Sequence, residues 1–312
     1  MSSRKPARRS AAVSSTVTDG INPRQPCPCG SGKRYKSCHG GGGSALVTRP
    51  FAGLASECDW IALRELVPAG TAPLHLTGEY ADREVMLATV LPMALPALTR
   101  ADGRILVGLQ VGNSGDDVSR DVAAAVLRAL AAEPGTTLPP EGQPGDGPRL
   151  QDLLSEEPLE VTVHEDFAFW LDGAEAGSAD VAAALEQANA AVMPTVRLPG
   201  LEAAYWCQLG DKAHLRWVLP YEEDVLLDAL ARLSAVGSLD LGEGTRYAGS
   251  FRAHGVLAPV WDLPKDAPAS QWEAPASAFG DRLATVLDAC GALSDAERRA
   301  RAGLRGRQLT LR

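Results

Sequence analysis

The sequence predicts an α+β fold, a mixed two-lobed body preceded by a small cysteine-bearing knuckle. Three observations lead there. Helical and strand-like stretches follow one another without strict βαβ alternation, a Pro/Gly-rich loop over residues 134–148 interrupts them, and three of the six cysteines crowd into twelve residues near the N-terminus. A length of 312 residues suits two average domains, or one larger domain with a small attachment. At 45% hydrophobic and 22% charged residues the chain has a globular composition, which excludes wholesale disorder and a collagen-like fibre.

The elements follow from periodicity. Trp60, Leu63 and Val67 recur at helical spacing, so a helix is expected over 60–67, followed by strands over 74–77, 84–91 and 105–111. Asp116 or Asp117 caps a helix over 118–132, whose Val118, Val122, Val126 and Leu130 share one face. The loop 134–148 is the best internal boundary and divides the lobes. Beyond it a short helix near 150–154, strands over 159–163 and 167–171, and a helix over 179–192 are expected. Strands over 205–209 and 213–219, a helix over 222–236, and strands over 247–251 and 256–261 complete the second lobe. A last amphipathic helix includes 281–287, and the Arg-rich end over 296–307 reads as a solvated, fraying terminus. Both halves contain a strand followed by a long helix, over 104–132 and 214–236, with too little residue identity to assert a duplication.

Charge is strongly polarised along the chain. Residues 1–49 carry nine Lys/Arg against one acid, residues 298–312 carry six Arg and no acid, and the remainder holds 15 basic and 38 acidic residues. Such an acidic body disfavours nucleic acid on its own surface, and no DNA specificity is expected. The basic ends suit phosphate, ribosomal RNA or an acidic protein, this body included. No stretch is long and apolar enough for a membrane helix, and no apolar h-region follows the basic N-terminus, so a cytoplasmic protein without a signal peptide is expected.

The crowded cysteines form the pattern C-x-C-x8-C-H, with Cys27, Cys29, Cys38 and His39. Three thiolates and an imidazole are the Cys3His set of closed, tetrahedral structural zinc sites, and soft thiolates argue against Mg2+ or Ca2+. Cys27 and Cys29 grip the ion from a tight turn, while Gly30 and Gly32 allow backbone amides to approach sulfur. A peptide of about twenty residues cannot bury a core, so one structural Zn2+ supplies its folding free energy. Lys33, Arg34, Tyr35 and Lys36 lie between the ligand pairs and form the candidate partner-binding run. The alternative for the basic residues is a merely solvated loop, and Tyr35 packs on the knuckle more readily than it stacks on a base. Gly30-Ser31-Gly32-Lys33 imitates the end of a Walker A loop. That motif, however, requires Gly where Cys27 stands and Ser or Thr where Arg34 stands, so nucleotide binding there is rejected.

With its four ligands, its two glycines and the basic-aromatic run, this segment closely resembles the SEC-C motif, the zinc-binding module best known as the C-terminal tail of the SecA translocase ATPase. In that tail the module contacts the chaperone SecB and the ribosome, so the resemblance implies docking and not catalysis. It covers only about residues 23–40, and the absence of a Walker motif excludes a translocase motor. From 48 onward, the chain looks like a small family of high-GC bacteria in which a SEC-C motif precedes a large body of unknown function, with the phrase Asp59-Trp60-Ile61-Ala62-Leu63-Arg64-Glu65-Leu66-Val67-Pro68-Ala69 near its start. That resemblance brings no activity with it. The expected organisation is therefore a disordered basic tail (1–22), a zinc knuckle (23–40), a Gly-rich linker (41–48), an α+β body (49–295) and an Arg-rich C-terminal tail (296–312).

Catalytic constellations in the body are weak. His164-Glu165-Asp166 offers an acid-base group or a metal ligand, yet no H-E-x-x-H spacing exists, and a strand-end His beside carboxylates is more often a turn. His75, His214 and His254 read as hydrogen-bonded structural residues. Ser114 lies outside any G-x-S-x-G elbow and reads as a turn residue. Cys58, Cys207 and Cys290 read as inert thiols, the first and last with acids beside them in sequence. Most of the six tryptophans should be core, although a Trp-lined groove would suit a peptide. The leading reading is thus a zinc-binding docking or adaptor protein whose knuckle recruits a protein partner, a chaperone or the ribosome. The alternative is an enzyme acting on a nucleotide or peptide that the knuckle recruits.

Overall fold

A computed structural model describes residues 25, 47–112, 115–140, 142, 146–171, 179–289 and 291–307. The chain divides into two units, residues 1–45 and 46–312, and all the described helices and strands belong to the second. This body is a mixed α and β structure with two separate sheets.

Helix α1 (Glu57–Glu65) carries its acids Glu57 and Asp59 in the first turn and Arg64 in the last, the order that suits the helix dipole. It buries Cys58, Trp60, Ile61 and Leu63. Six strands then build the first sheet: β1 (Gly70–Leu74), β2 (Val85–Ala88), β3 (Ala97–Thr99), β4 (Ile105–Gly108), β5 (Thr137–Leu138) and β6 (Thr162–Val163), in the spatial order β5-β3-β4-β2-β1-β6. Every pairing is antiparallel except β2 with β4. Helix α2 (Val118–Ala131) begins where expected, with Asp117 accepting the Ser119 amide at 3.2 Å as its cap. Its Val118, Val122, Val126 and Leu130 face joins Val85, Leu87, Ile105 and Val107 of the sheet in one core. Gly108 is required at the end of β4, because a Cβ there would stand 2.6 Å from the Leu95 carbonyl oxygen.

The second sheet is wholly antiparallel. Strands β7 (Thr195–Arg197), β8 (Ala204–Leu209), β9 (Lys212–Trp217), β10 (Arg246–Ala253) and β11 (Val256–Leu263) run in the order β10-β11-β9-β8-β7. Helix α3 (Ala179–Asn189) precedes it and α4 (Glu223–Ala235) interrupts it. Both faces of this sheet are buried, which explains why β11 is apolar almost throughout. Ala258 and Val260 join the core of the first sheet, whereas Leu257, Trp261 and Leu263 pack into a second core with α4 and the C-terminal helices α5 (Glu273–Leu287) and α6 (Asp295–Arg305). The β10–β11 turn is His254-Gly255, both with positive φ (46° and 85°), the two-residue hairpin geometry that matches strand twist.

Four expectations need correction. The run 167–171 is not a strand but a 3₁₀ turn over Ala168–Trp170, in which Phe167 stacks on Trp170 with ring centroids 4.4 Å apart. Three-residue periodicity brings those rings together, whereas a strand would place them on opposite faces. The loop 134–148 is not a lobe boundary, because β1 and β6, which lie on either side of it, pair in the first sheet, and β5 within it pairs with β3. The passage between sheets falls after Val163 and before Thr195. The segment at 295–305 does not fray. Ser294 and Glu297 form a capping box, Leu304 is buried, Arg301 contacts Asp224 at 2.7 Å and pairs with Asp228, and Arg305 reaches Asp224 at 3.1 Å. Finally, the first expected strand, 74–77, lies earlier, at Gly70–Leu74.

A buried ionic contact joins α1 to the second sheet. Asp59, 1% exposed, accepts the Tyr205 hydroxyl at 2.7 Å and Arg197 Nη2 at 2.9 Å. Burial and the neighbouring Asp59 carboxylate push the Tyr205 phenol well above its usual range, so it is a hydrogen-bond donor throughout the physiological range. Removing the carboxylate strands the buried Tyr205 hydroxyl and takes the counter-ion from the half-buried Arg197. Asp59→Ala is expected to lower stability by about 3–5 kcal/mol, and Tyr205→Phe by about 1.5–3 kcal/mol, measured by urea unfolding. Equal and negligible losses would show that the contact is not a staple.

Candidate functional site

The sequence-derived ligands Cys27, Cys29, Cys38 and His39, and the run Lys33, Arg34, Tyr35 and Lys36, lie outside the described residues, as do Ser114 and Cys290. Among the described residues no group of three or more His, Cys, Asp or Glu side chains is arranged to hold a metal ion.

The body's own candidates separate. Glu165 and Asp166 lie in an exposed bend, where Asp166 accepts the Ala168 amide at 2.8 Å. His164 holds Thr71 Oγ1 through Nε2 at 2.8 Å, with its ring 4.8 Å from that of Phe169, and the Asp166 carboxylate acts on its charge. The two carboxylates of the triplet thus stand in solvent. His254 bonds Glu65 at 2.8 Å and meets the edge of Phe51, and His214 lies 3.2 Å from Asp262, so both are tied to carboxylates as structural residues. Cys58 and Cys207 are buried. Burial foremost, then Glu202, Glu57 and Asp59, push the Cys58 thiol far up, and burial raises Cys207, which leaves both as unreactive thiols. Of the six tryptophans five are buried, and Trp170, the exception, donates to the Val90 carbonyl at 2.9 Å.

The body does contain one large concavity that periodicity could not reveal, about 820 Å3 on the face of the first sheet turned away from α2. Its floor is a lateral row from three adjacent strands, Pro73 of β1, Met86 of β2 and Leu106 of β4, which are register partners. Phe169 and Leu171 form a wall, and Arg100, 7% exposed, is fixed in that wall by bonds from Nη2 to the Phe169 and Trp170 carbonyls at 2.8 and 3.0 Å. His75 and Glu157, 3.7 Å apart, stand at the rim. No tryptophan lines it, so the expected Trp groove is absent from this site. Arg100 was the one legible signal, an arginine closing the apolar run 95–98, but nothing local shows what it faces.

A family model covers residues 50–312, nearly all of the body just described. The chain belongs to the family of unknown function DUF5926. Ahead of the DUF5926 body, residues 24–41 match the SEC-C motif. A 39-residue stretch is 49% identical to the protein translocase subunit SecA of Xylella fastidiosa (strain M12), covering 12% of this chain and 4% of that protein. The likeness to SecA is thus confined to a small fraction of either chain. No solved structure matches.

Two histidines make the body sensitive to acid. Burial holds the imidazoles of His164 and His214 below their ordinary value, against the opposing pull of Asp166 on the first and Asp262 on the second. Both stay neutral when folded but take up protons when unfolded, so their stabilising effect is complete above about pH 6.5 and is lost as pH falls below it toward the lowered folded values. Thermal unfolding is expected to move to lower temperature between about pH 7 and pH 5. In a His164→Gln/His214→Gln protein that dependence should be shallower, and an unchanged slope would remove these residues as its source.

Proposed function

We propose that this is a cytoplasmic zinc-binding docking or adaptor protein, in which the SEC-C segment recruits a protein or ribosomal partner to the DUF5926 body. The observation that carries the reading is a complete Cys3His donor set, Cys27, Cys29, Cys38 and His39, inside the stretch that matches the SEC-C motif. Three soft thiolates and one imidazole fit a tetrahedral Zn2+ and leave no open position for water, so the ion would fold the knuckle and perform no chemistry. Lys33, Arg34, Tyr35 and Lys36 would then be the exposed recognition run, and their charge suits an acidic protein surface or ribosomal RNA. A chaperone or ribosomal partner is favoured by the similarity to SecA, whose tail docks on both.

The alternative, an enzyme acting on a nucleotide or peptide, draws its support from the concavity on the first sheet. Against it stand the exposed bend that holds Glu165 and Asp166 and the inert setting of Cys58 and Cys207.

Zinc content and partner binding test the proposal together. Intact protein is expected to carry one zinc per chain by elemental analysis and to co-sediment with purified ribosomes or to be retained by an immobilised chaperone. Cys27→Ser/Cys29→Ser should lose both properties while the body unfolds at an unchanged temperature. Retention of a full equivalent of zinc by Cys29→Ser would show that the ligands are misassigned, and unchanged partner binding by the zinc-free variant would take docking away from the knuckle.

A further inference from the structure

The concavity on the first sheet has the size and lining of a ligand site. At about 820 Å3 it falls within the volume range of pockets that enclose small molecules. Its floor is apolar because the strand alternation that sends Val85 and Ile105 into the core sends Met86 and Leu106 the other way. Leu106 is buried in a small cluster against which Phe169 packs, but Met86 remains 37% exposed, a large apolar side chain left on the floor of a concave surface.

The charges in the lining are either engaged by the protein or stand in water. Arg100, the buried one, gives Nη2 to the Phe169 and Trp170 carbonyls and has a further partner besides. Arg104 is bonded to Asp102. Asp82, Arg83 and Glu84 are consecutive, exposed and of alternating sign, and His75 faces Glu157 at 3.7 Å with both side chains exposed, so water and salt screen them. An ion entering this cavity would give up hydration without meeting a buried counter-charge that is still to be satisfied, whereas an uncharged molecule forfeits little. Covering the Met86 side chain then favours binding in proportion to the apolar area removed from water. A thioether on the floor and an aromatic ring in the wall suit a flat aromatic body. Thr71 and Ser155 add hydroxyls to the lining, and Thr71 Oγ1, bonded to His164, keeps a second hydrogen-bonding position that a hydroxyl on the ligand can meet.

We infer that this cavity binds an uncharged, flat apolar molecule, seated between the Pro73, Met86 and Leu106 floor and the Phe169 wall. The site lies on the body alone and goes beyond docking through the knuckle.

Calorimetric titration of the full chain at physiological salt with three probes of one shape tests this: 2-naphthylmethanol, 2-naphthoate and 2-naphthylmethylammonium. The alcohol is expected to bind at least about tenfold more tightly than either ion, the preference set by the hydration that the ions lose. That ranking is read on the unaltered protein. Met86→Glu and Met86→Lys locate the site, since each puts a charge on the floor at an exposed strand position. Both should weaken the alcohol at least about tenfold, the first making the ammonium the best of the three probes and the second the naphthoate, with the unfolding temperature unchanged. An ion that binds the unaltered protein as tightly as the alcohol, alcohol binding that survives both substitutions, or no binding at millimolar concentration would each overturn the assignment. None of these outcomes depends on zinc or on the docking partner, so failure here leaves the knuckle reading standing.

Discussion

Asp59 is a carboxylate with almost no access to water, and the groups that satisfy it come from the other sheet. An ionised side chain in that position is tolerable only if Arg197 and Tyr205 reach it, so α1 cannot settle against the first sheet without also fixing β7 and β8. The apolar core shared by the two sheets obeys the same constraint, since Tyr205, Ala258 and Val260 pack with Trp60, Val122 and Val107. Dispersion and burial supply the attraction there, but they would allow the sheets to slide over one another. The ionic contact opposes that sliding by tying α1 to β7 and β8 at one point.

What could be read from the sequence divides along the range of the interactions. Helix α2 was legible because everything that defines it is local: Asp117 at the cap, valines at four-residue spacing, and a Pro/Gly-rich stretch beyond. Strands β8 to β11 were legible for the same reason. The two- and three-residue strands β3, β5 and β7 were not, since an element that short has no period and is held by its neighbours' hydrogen bonds. The run 167–171 resembled a strand by its aromatic composition, and only the stacking of Phe167 on Trp170 decides for a turn. The cavity draws its floor from β1, β2 and β4 and its wall from residues more than sixty positions further on, a juxtaposition that no local pattern encodes. The opposite case is the Cys3His set, for which the spacing of four residues within thirteen positions is the entire signal.

The C-terminal arginines show how charge bookkeeping by segment misleads. Their acidic partners, Asp224 and Asp228, lie more than seventy residues earlier, on α4, and the body consumes part of its own counter-charge by docking α6 there. Much of the positive charge at that end is therefore spent internally. The basic residues before position 48 are the other block of positive charge in the sequence.

Arg49 is bonded to Glu57 at the start of α1 and to Glu222 just before α4, and Gly255 at the β10–β11 turn leaves no room for a Cβ beside it. Mechanical tension on the chain upstream of residue 47 would therefore meet the Val47 amide, bonded to the Asp116 carbonyl, and then Arg49, which divides it between α1 and the approach to α4. The attachment point is tied to α1, to the approach to α4 and to the β10–β11 turn and is not the free end of a single strand, so a pull on it would load several elements before it could peel any one away.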